Sequence, residues 1–175
     1  MLYQAISEYQ ERRIVSDIVQ GASADAIRTI FDHCKPNLAN VNGDKSEVCI
    51  SLAEALMHYM LTVAMIPSQR KTSLHSIDID IAIPDAKTLV SHPDDAILIS
   101  FPKTKELQPI KEHVENLKKI QPNSNNIWVV LDKPALVNAK VYTLEAEQFT
   151  FANIINDLIS FSSNKKQSKL KIFKI

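Results

Sequence analysis

Glycine is nearly missing from this chain. Only Gly21 and Gly43 occur in 175 residues, both ahead of the first strand-like segment. No strand-to-helix turn is therefore a glycine-rich phosphate cradle of the dinucleotide or P-loop kind, and enzymes built on those cradles are excluded. Cysteine is equally scarce. Cys34 and Cys49 fall at apolar positions of predicted helices, which points to reduced, buried thiols rather than a disulfide framework. An excess of charge of either sign is absent too. Twenty basic and twenty acidic residues cancel, so no global field draws in a polyanion and any nucleic-acid contact must come from a local patch. No apolar run reaches the length of a membrane span, and Glu8, Glu11, Arg12 and Arg13 stand where a signal peptide would be apolar. The expectation is a soluble, cytoplasmic protein with no membrane contact.

What is present suits one core. A hydrophobic content of 45 % with 23 % charged residues is ordinary for a globular domain of this length. The first 66 residues read as helical. Leu2, Ile6, Tyr9, Ile14, Ile18 and Val19 give one amphipathic helix, and Ile27, Ile30, Phe31 and Cys34 a second that Pro36 stops. Asp44 with Glu47 has the form of a capping box, after which Cys49, Leu52, Ala53, Leu56, Met60 and Val63 form the buried stripe of a third helix ending before Pro67. Strands follow at 77–83, 96–101, 126–131 and 140–144, with a helix at 107–120 carried by Leu107, Ile110, Val114 and Leu117. That succession implies a parallel crossover. Phe151, Ile154, Ile155, Leu158 and Phe161 make a closing helix.

The chemistry concentrates at Ile77-Asp78-Ile79-Asp80-Ile81-Ala82-Ile83-Pro84-Asp85 and Ala96-Ile97-Leu98-Ile99-Ser100-Phe101-Pro102-Lys103. Alternation at period two sets the isoleucines on one strand face and Asp78 beside Asp80 on the other. Same-face acids repel, so they mark either a site or a polar outward face that guards an edge. On the third helix, Glu47, Glu54 and His58 lie opposite the apolar stripe, as on any solvated helix face. His33, His75, His92 and His113 show no metal-ligand spacing, and Trp128 sits inside an apolar strand as a core residue.

Acid on one central strand and lysine after the next, within this order of elements, resembles the PD-(D/E)XK nuclease superfamily over roughly residues 46–145. The resemblance implies a restriction-endonuclease-like α/β fold: a helical N-terminal third, then a mixed four-stranded sheet with flanking helices. It also implies a Mg²⁺ or Mn²⁺ site for phosphodiester hydrolysis, with the metal offsetting charge at phosphorus and a lysine orienting or activating water. Carried over, the first acid is Asp80 or Asp85, the latter preceded by Pro84, and the lysine is Lys103. Asp78, Asp80, Asp85 and Glu54 are the candidate metal ligands, and Asp80 with Lys103 the candidate catalytic pair. The second acid of the pattern belongs at Phe101, or at Ser100 in a slipped frame, and neither is an acid. Pro102 stands between them and the lysine.

Lys165, Lys166, Lys169, Lys171 and Lys174 follow the last acid, Asp157, and Ser162-Ser163-Asn164-Lys165-Lys166 reads as a linker. The chain is therefore read as one domain over 1–163 with a basic tail over 164–175. Within the tail, Gln167, Leu170 and Phe173 are spaced like the peptide with which replication and repair proteins dock on the sliding clamp. Leu170, Ile172 and Ile175 alternate with lysine as an added strand would, and a solvated tail is the third alternative. The functional expectation is a replication- or repair-associated protein of nuclease-like fold that binds DNA or a protein partner without cleaving. The rivals are a metal-dependent endonuclease with a non-standard acid, and an interaction or homodimerisation module with no nucleic acid.

Overall fold

A computed structural model describes residues 1–38, 41 and 43–171, with side chains described through Asn164. The helical third holds four helices rather than three. The expected first helix is two, α1 (Leu2–Tyr9) and α2 (Glu11–Val19), broken at Gln10, whose φ of 73° lies outside helical space. The break lets both pieces pack against α3 (Ser23–Leu38), so that Ile6, Tyr9 and Ile14 are all buried. Tyr9 Oη then donates to Asp17 Oδ2 across the break at 2.7 Å. Pro36 does not stop α3, which runs on to the buried Leu38. Lacking an N–H, Pro36 forgoes the bond to the Asp32 carbonyl, and the helix continues for two residues beyond it. α4 (Lys45–Val63) begins where expected, with the Asp44 carboxylate accepting from the N–H groups of Ser46 and Glu47.

The sheet has five strands in the order β1 (Gln69–Leu74), β2 (Ile77–Ile83), β3 (Ile97–Ser100), β4 (Ile127–Leu131) and β5 (Lys140–Thr143). The expected sheet of four is thus corrected to five. β1 has a single large apolar residue, Leu74, and is largely exposed along one edge, so it carries no alternation for the sequence to display. It joins β2 through a two-residue turn in which His75 and Ser76 both have positive φ, 51° and 62°. Asn-Gly would mark such a turn, and neither residue is present. β1, β2 and β3 are antiparallel neighbours, while β3, β4 and β5 run parallel. α6 (Leu107–Lys118) forms the crossover from β3 to β4.

Both faces of the sheet are covered, which is why β3 and β4 read as unbroken apolar runs. On one face Ile81, Ile99, Trp128 and Val130 pack against α3, α4 and α7 (Ile154–Lys171). On the other, Leu98, Ile127 and Val129 meet α6 and the short α5 (Ala86–Ser91). Cys34 is buried and Cys49 half-buried, and burial pushes both thiols up, so they stay protonated. α7 is helical through the stretch read as a linker, as far as Lys171. Of the clamp-peptide reading, Phe173 lies outside the described residues, as do the side chains of Gln167 and Leu170. No helix among the described residues is long and apolar enough to cross a membrane.

Candidate functional site: a charged fork between two strands

The β2–β3 ladder ends at Ile81 opposite Ile99. One step further the strands part, and side chains replace the backbone bonds. Asp80 Oδ2 accepts from the Phe101 N–H at 2.8 Å and from Ser100 Oγ at 3.2 Å, so the carboxylate caps the open end of the ladder. α4 crosses the same point and delivers Glu54, whose side chain is only 10 % exposed. Lys103, three residues beyond the end of β3, brings Nζ to 3.5 Å from Glu54 Oε2.

A cation that the sequence does not single out completes the cluster. Lys71 of β1 places Nζ 2.5 Å from Glu54 Oε1 and 2.7 Å from Asp80 Oδ1. Burial pushes the Asp80 carboxyl up, but hydrogen bonds from Lys71 and the Phe101 N–H outweigh it and hold the group below the usual carboxylate range. For Lys71, burial lowers the pKa, and the bonds to Asp80 and Glu54 reverse that, so the ammonium is held above its ordinary value. Both groups are charged at neutral pH.

Two histidines flank the fork. His58, one turn along α4 from Glu54, has Nε2 3.8 Å from Glu54 Oε1, while its Nδ1 is buried without a hydrogen-bond partner. Burial, then the charge of Arg70, depresses its pKa. His113 of α6 holds Nε2 2.8 Å from Ser100 Oγ, which links it through that hydroxyl to Asp80. Desolvation depresses it as well, against the opposing pull of Asp80 and Asp78. Both rings are neutral at pH 7.

Of the residues singled out in the sequence, Asp80, Glu54 and Lys103 meet here. Asp78 is exposed two residues along β2, and Asp85 is committed elsewhere: it caps α5, accepting from the Thr88 N–H at 2.6 Å. Lys71 and His113 were missed. Lys71 lies in a strand without apolar pattern, but folding 69–83 about His75-Ser76 would have set it opposite Asp80. His113 gave no signal, because its partner Ser100 lies on a separate element.

The donor set does not fit the Mg²⁺ or Mn²⁺ that the resemblance implies. Those ions need several hard oxygens from carboxylates and water. Position 101 supplies instead a phenyl ring buried in the core. Both Asp80 oxygens are engaged, and the point between Glu54 and Asp80 holds an ammonium. Among the described residues no group of three or more His, Cys, Asp and Glu side chains is placed to hold a metal.

No protein-family model and no curated protein matches this chain. Among solved structures it is similar to metal-depleted Ecl18kI in complex with uncleaved DNA, at 16 % sequence identity and a TM-score of 0.49. The similarity covers 93 % of this chain and 61 % of that one, so the chain spans about three-fifths of its length.

Proposed function

We propose that this chain is a nuclease-like α/β domain that acts in DNA replication or repair by binding, with DNA as the first partner and a protein as the second, and without metal-dependent cleavage. The observation that carries the reading is the fork itself. Acid on β2, acid on α4 and lysine after β3 lie in one charged cluster, which supports the nuclease-like reading, and position 101, where the resemblance asks for an acid, is a buried Phe101, which supports the absence of cleavage. A groove of about 650 Å³ supports a binding role. It follows the carboxyl ends of β3 and β4 and is lined by Thr104, Lys105, Leu107, Leu131, Lys133 and Leu136. Ends of parallel strands are where open α/β sheets usually take their ligands.

The test is a combined binding and cleavage assay on single-stranded, duplex and branched DNA with Mg²⁺ or Mn²⁺. Binding that weakens as salt is raised, with intact substrate, is expected. Absence of salt-sensitive binding would move the function to the protein-interaction reading. Cleavage lost in Asp80→Ala would instead establish the endonuclease alternative, for which the convergence of Glu54 and Asp80 on one point is the favouring observation.

A further inference from the structure

We propose that Lys71 has taken the place of the divalent cation, so that the charge of this fork is balanced by the chain's own ammonium and the domain is independent of metal. The inference deepens the function proposed above and rests on its reading of the fork.

Glu54 arrives from α4 and Asp80 from β2, and their nearest oxygens share one Lys71 nitrogen at 2.5 and 2.7 Å. Two carboxylates aimed at one point repel each other. With Glu54 buried, water screens that repulsion poorly, so the pair needs a positive charge between them. His58 does not bridge the pair: its Nε2 stands 3.8 Å from Glu54 Oε1, on the helix that carries Glu54. Lys103 stands 3.5 Å from the far oxygen of Glu54 and has no contact with Asp80 in the fork. Lys71 alone bridges the two among the described residues.

The backbone shows how it gets there. Arg70 pairs with Ile81 and Thr72 with Ile79, a register that sets Lys71 opposite Asp80, and Lys71 itself has a φ of 45°. An L-residue with a side chain in that region costs about 1 kcal/mol. The kink is offset by two charge-assisted hydrogen bonds, each stronger than a neutral one. An ammonium differs from a metal ion in what it can do. It balances charge and donates hydrogen bonds, but it has no vacant orbital with which to polarise a phosphoryl oxygen or acidify a bound water. The substitution therefore preserves the architecture of the fork and omits the Lewis acid.

The experiment uses the full chain, Mn²⁺ as probe, equilibrium dialysis and thermal melting. Wild type is expected to melt at one temperature with Mn²⁺, with EDTA or with neither. Lys71→Met should melt lower, recover part of the loss with Mn²⁺, and bind Mn²⁺ about tenfold or more tightly than wild type, because a unit charge in direct contact with both carboxylates has been removed. Glu54→Gln/Lys71→Met, which removes one negative charge with the positive one, should regain stability and lose the Mn²⁺ response. Wild type binding Mn²⁺ as tightly as Lys71→Met, or Lys71→Met melting like wild type without metal, would overturn the assignment. Should Lys71→Met be insoluble, a soluble Glu54→Gln/Lys71→Met supports it, and an insoluble double variant overturns it, since the loss would then not come from the charge. No nucleic acid enters these measurements. Failure of DNA binding thus removes the function proposed above and leaves Lys71 in its role, whereas tight Mn²⁺ binding by wild type does the reverse.

Discussion

Lys71 on β1 and Lys140 on β5 stand at opposite edges of one sheet, and each ammonium lies 2.7 Å from an aspartate oxygen. The surroundings differ. Lys140 meets a single carboxylate, Asp157, which also accepts from Tyr142 Oη at 2.6 Å, and its Nζ lies 4.5 Å from the centre of the Trp128 ring. One acid is shared by an ammonium and a phenol, so charge is balanced one to one and donors are in surplus. Burial, then the bond to Asp157, pushes the Tyr142 phenol far up, and it remains a donor at every working pH. At the β1 edge two carboxylates meet two lysines, but Lys103 reaches Glu54 only, at 3.5 Å. Two acids share Lys71, one of them buried, and the backbone is kinked to make the contact. An ion pair of the first kind fastens a helix to a strand; a constellation of the second kind demands a cation.

The largest expected effect breaks this contrast directly. Lys71→Met leaves Asp80 without a lysine and Glu54 with the more distant Lys103 alone, and should cost about 2 kcal/mol, a buried-pair loss reduced because the lysine itself is 59 % exposed. Lys140→Met should cost roughly 0.5–1 kcal/mol, for one screened pair and two ring contacts, to Trp128 and Tyr142. Urea denaturation of both variants checks the ranking, and equal losses would erase the distinction between the edges.

A smaller effect concerns pH. In the folded chain burial holds His113 below the ordinary 6.5. On acidification the unfolded chain takes up the proton first, so stability is greatest above 6.5 and is lost as pH falls through the depressed folded value. Asp80 contributes in a lower window: its carboxyl is depressed from 3.8, so its stabilisation is present above that value and disappears as pH falls through the folded one. Denaturation at pH 7.5 and pH 5 should show a loss for wild type and a smaller loss for His113→Gln, which cannot take up a proton. Identical slopes would detach His113 from the fork.

The smallest effect sharpens the comparison by stiffening one edge alone. His75→Asn/Ser76→Gly places residues suited to positive φ at both turn positions and should add roughly 0.5–1 kcal/mol, seen as a higher melting temperature. Unchanged melting would mean that the turn already relaxes its strain elsewhere.

These contrasts also explain how much was legible beforehand. The strands at 77–83, 96–101, 126–131 and 140–144 were readable because each buries apolar residues, and β3 and β4 do so on both faces. The start of α4 was readable because Asp44 acts within its own turn. β1 was not, since an edge strand owes its existence to hydrogen bonds with β2 rather than to buried side chains. The break at Gln10 was hidden for a related reason: it satisfies packing on α3, a constraint absent from the local period. Within the fork, Asp80 and Lys103 stood out by spacing along the chain, and Glu54 by its place on a helix face. Lys71 and His113 enter through register and through a helix on the far face, quantities that one strand's pattern does not contain.

The kink at Lys71 has a consequence for how copies of the protein meet one another. An exposed edge strand offers a row of free N–H and C=O groups on which another chain can template itself. β1 is such an edge, and in its middle Lys71 leaves extended backbone with a φ of 45°, while Arg70 and Lys71 set charge along it. The residue that neutralises the inner acids thus also sets charge on the border of the sheet, one of the devices by which edge strands discourage pairing with another chain.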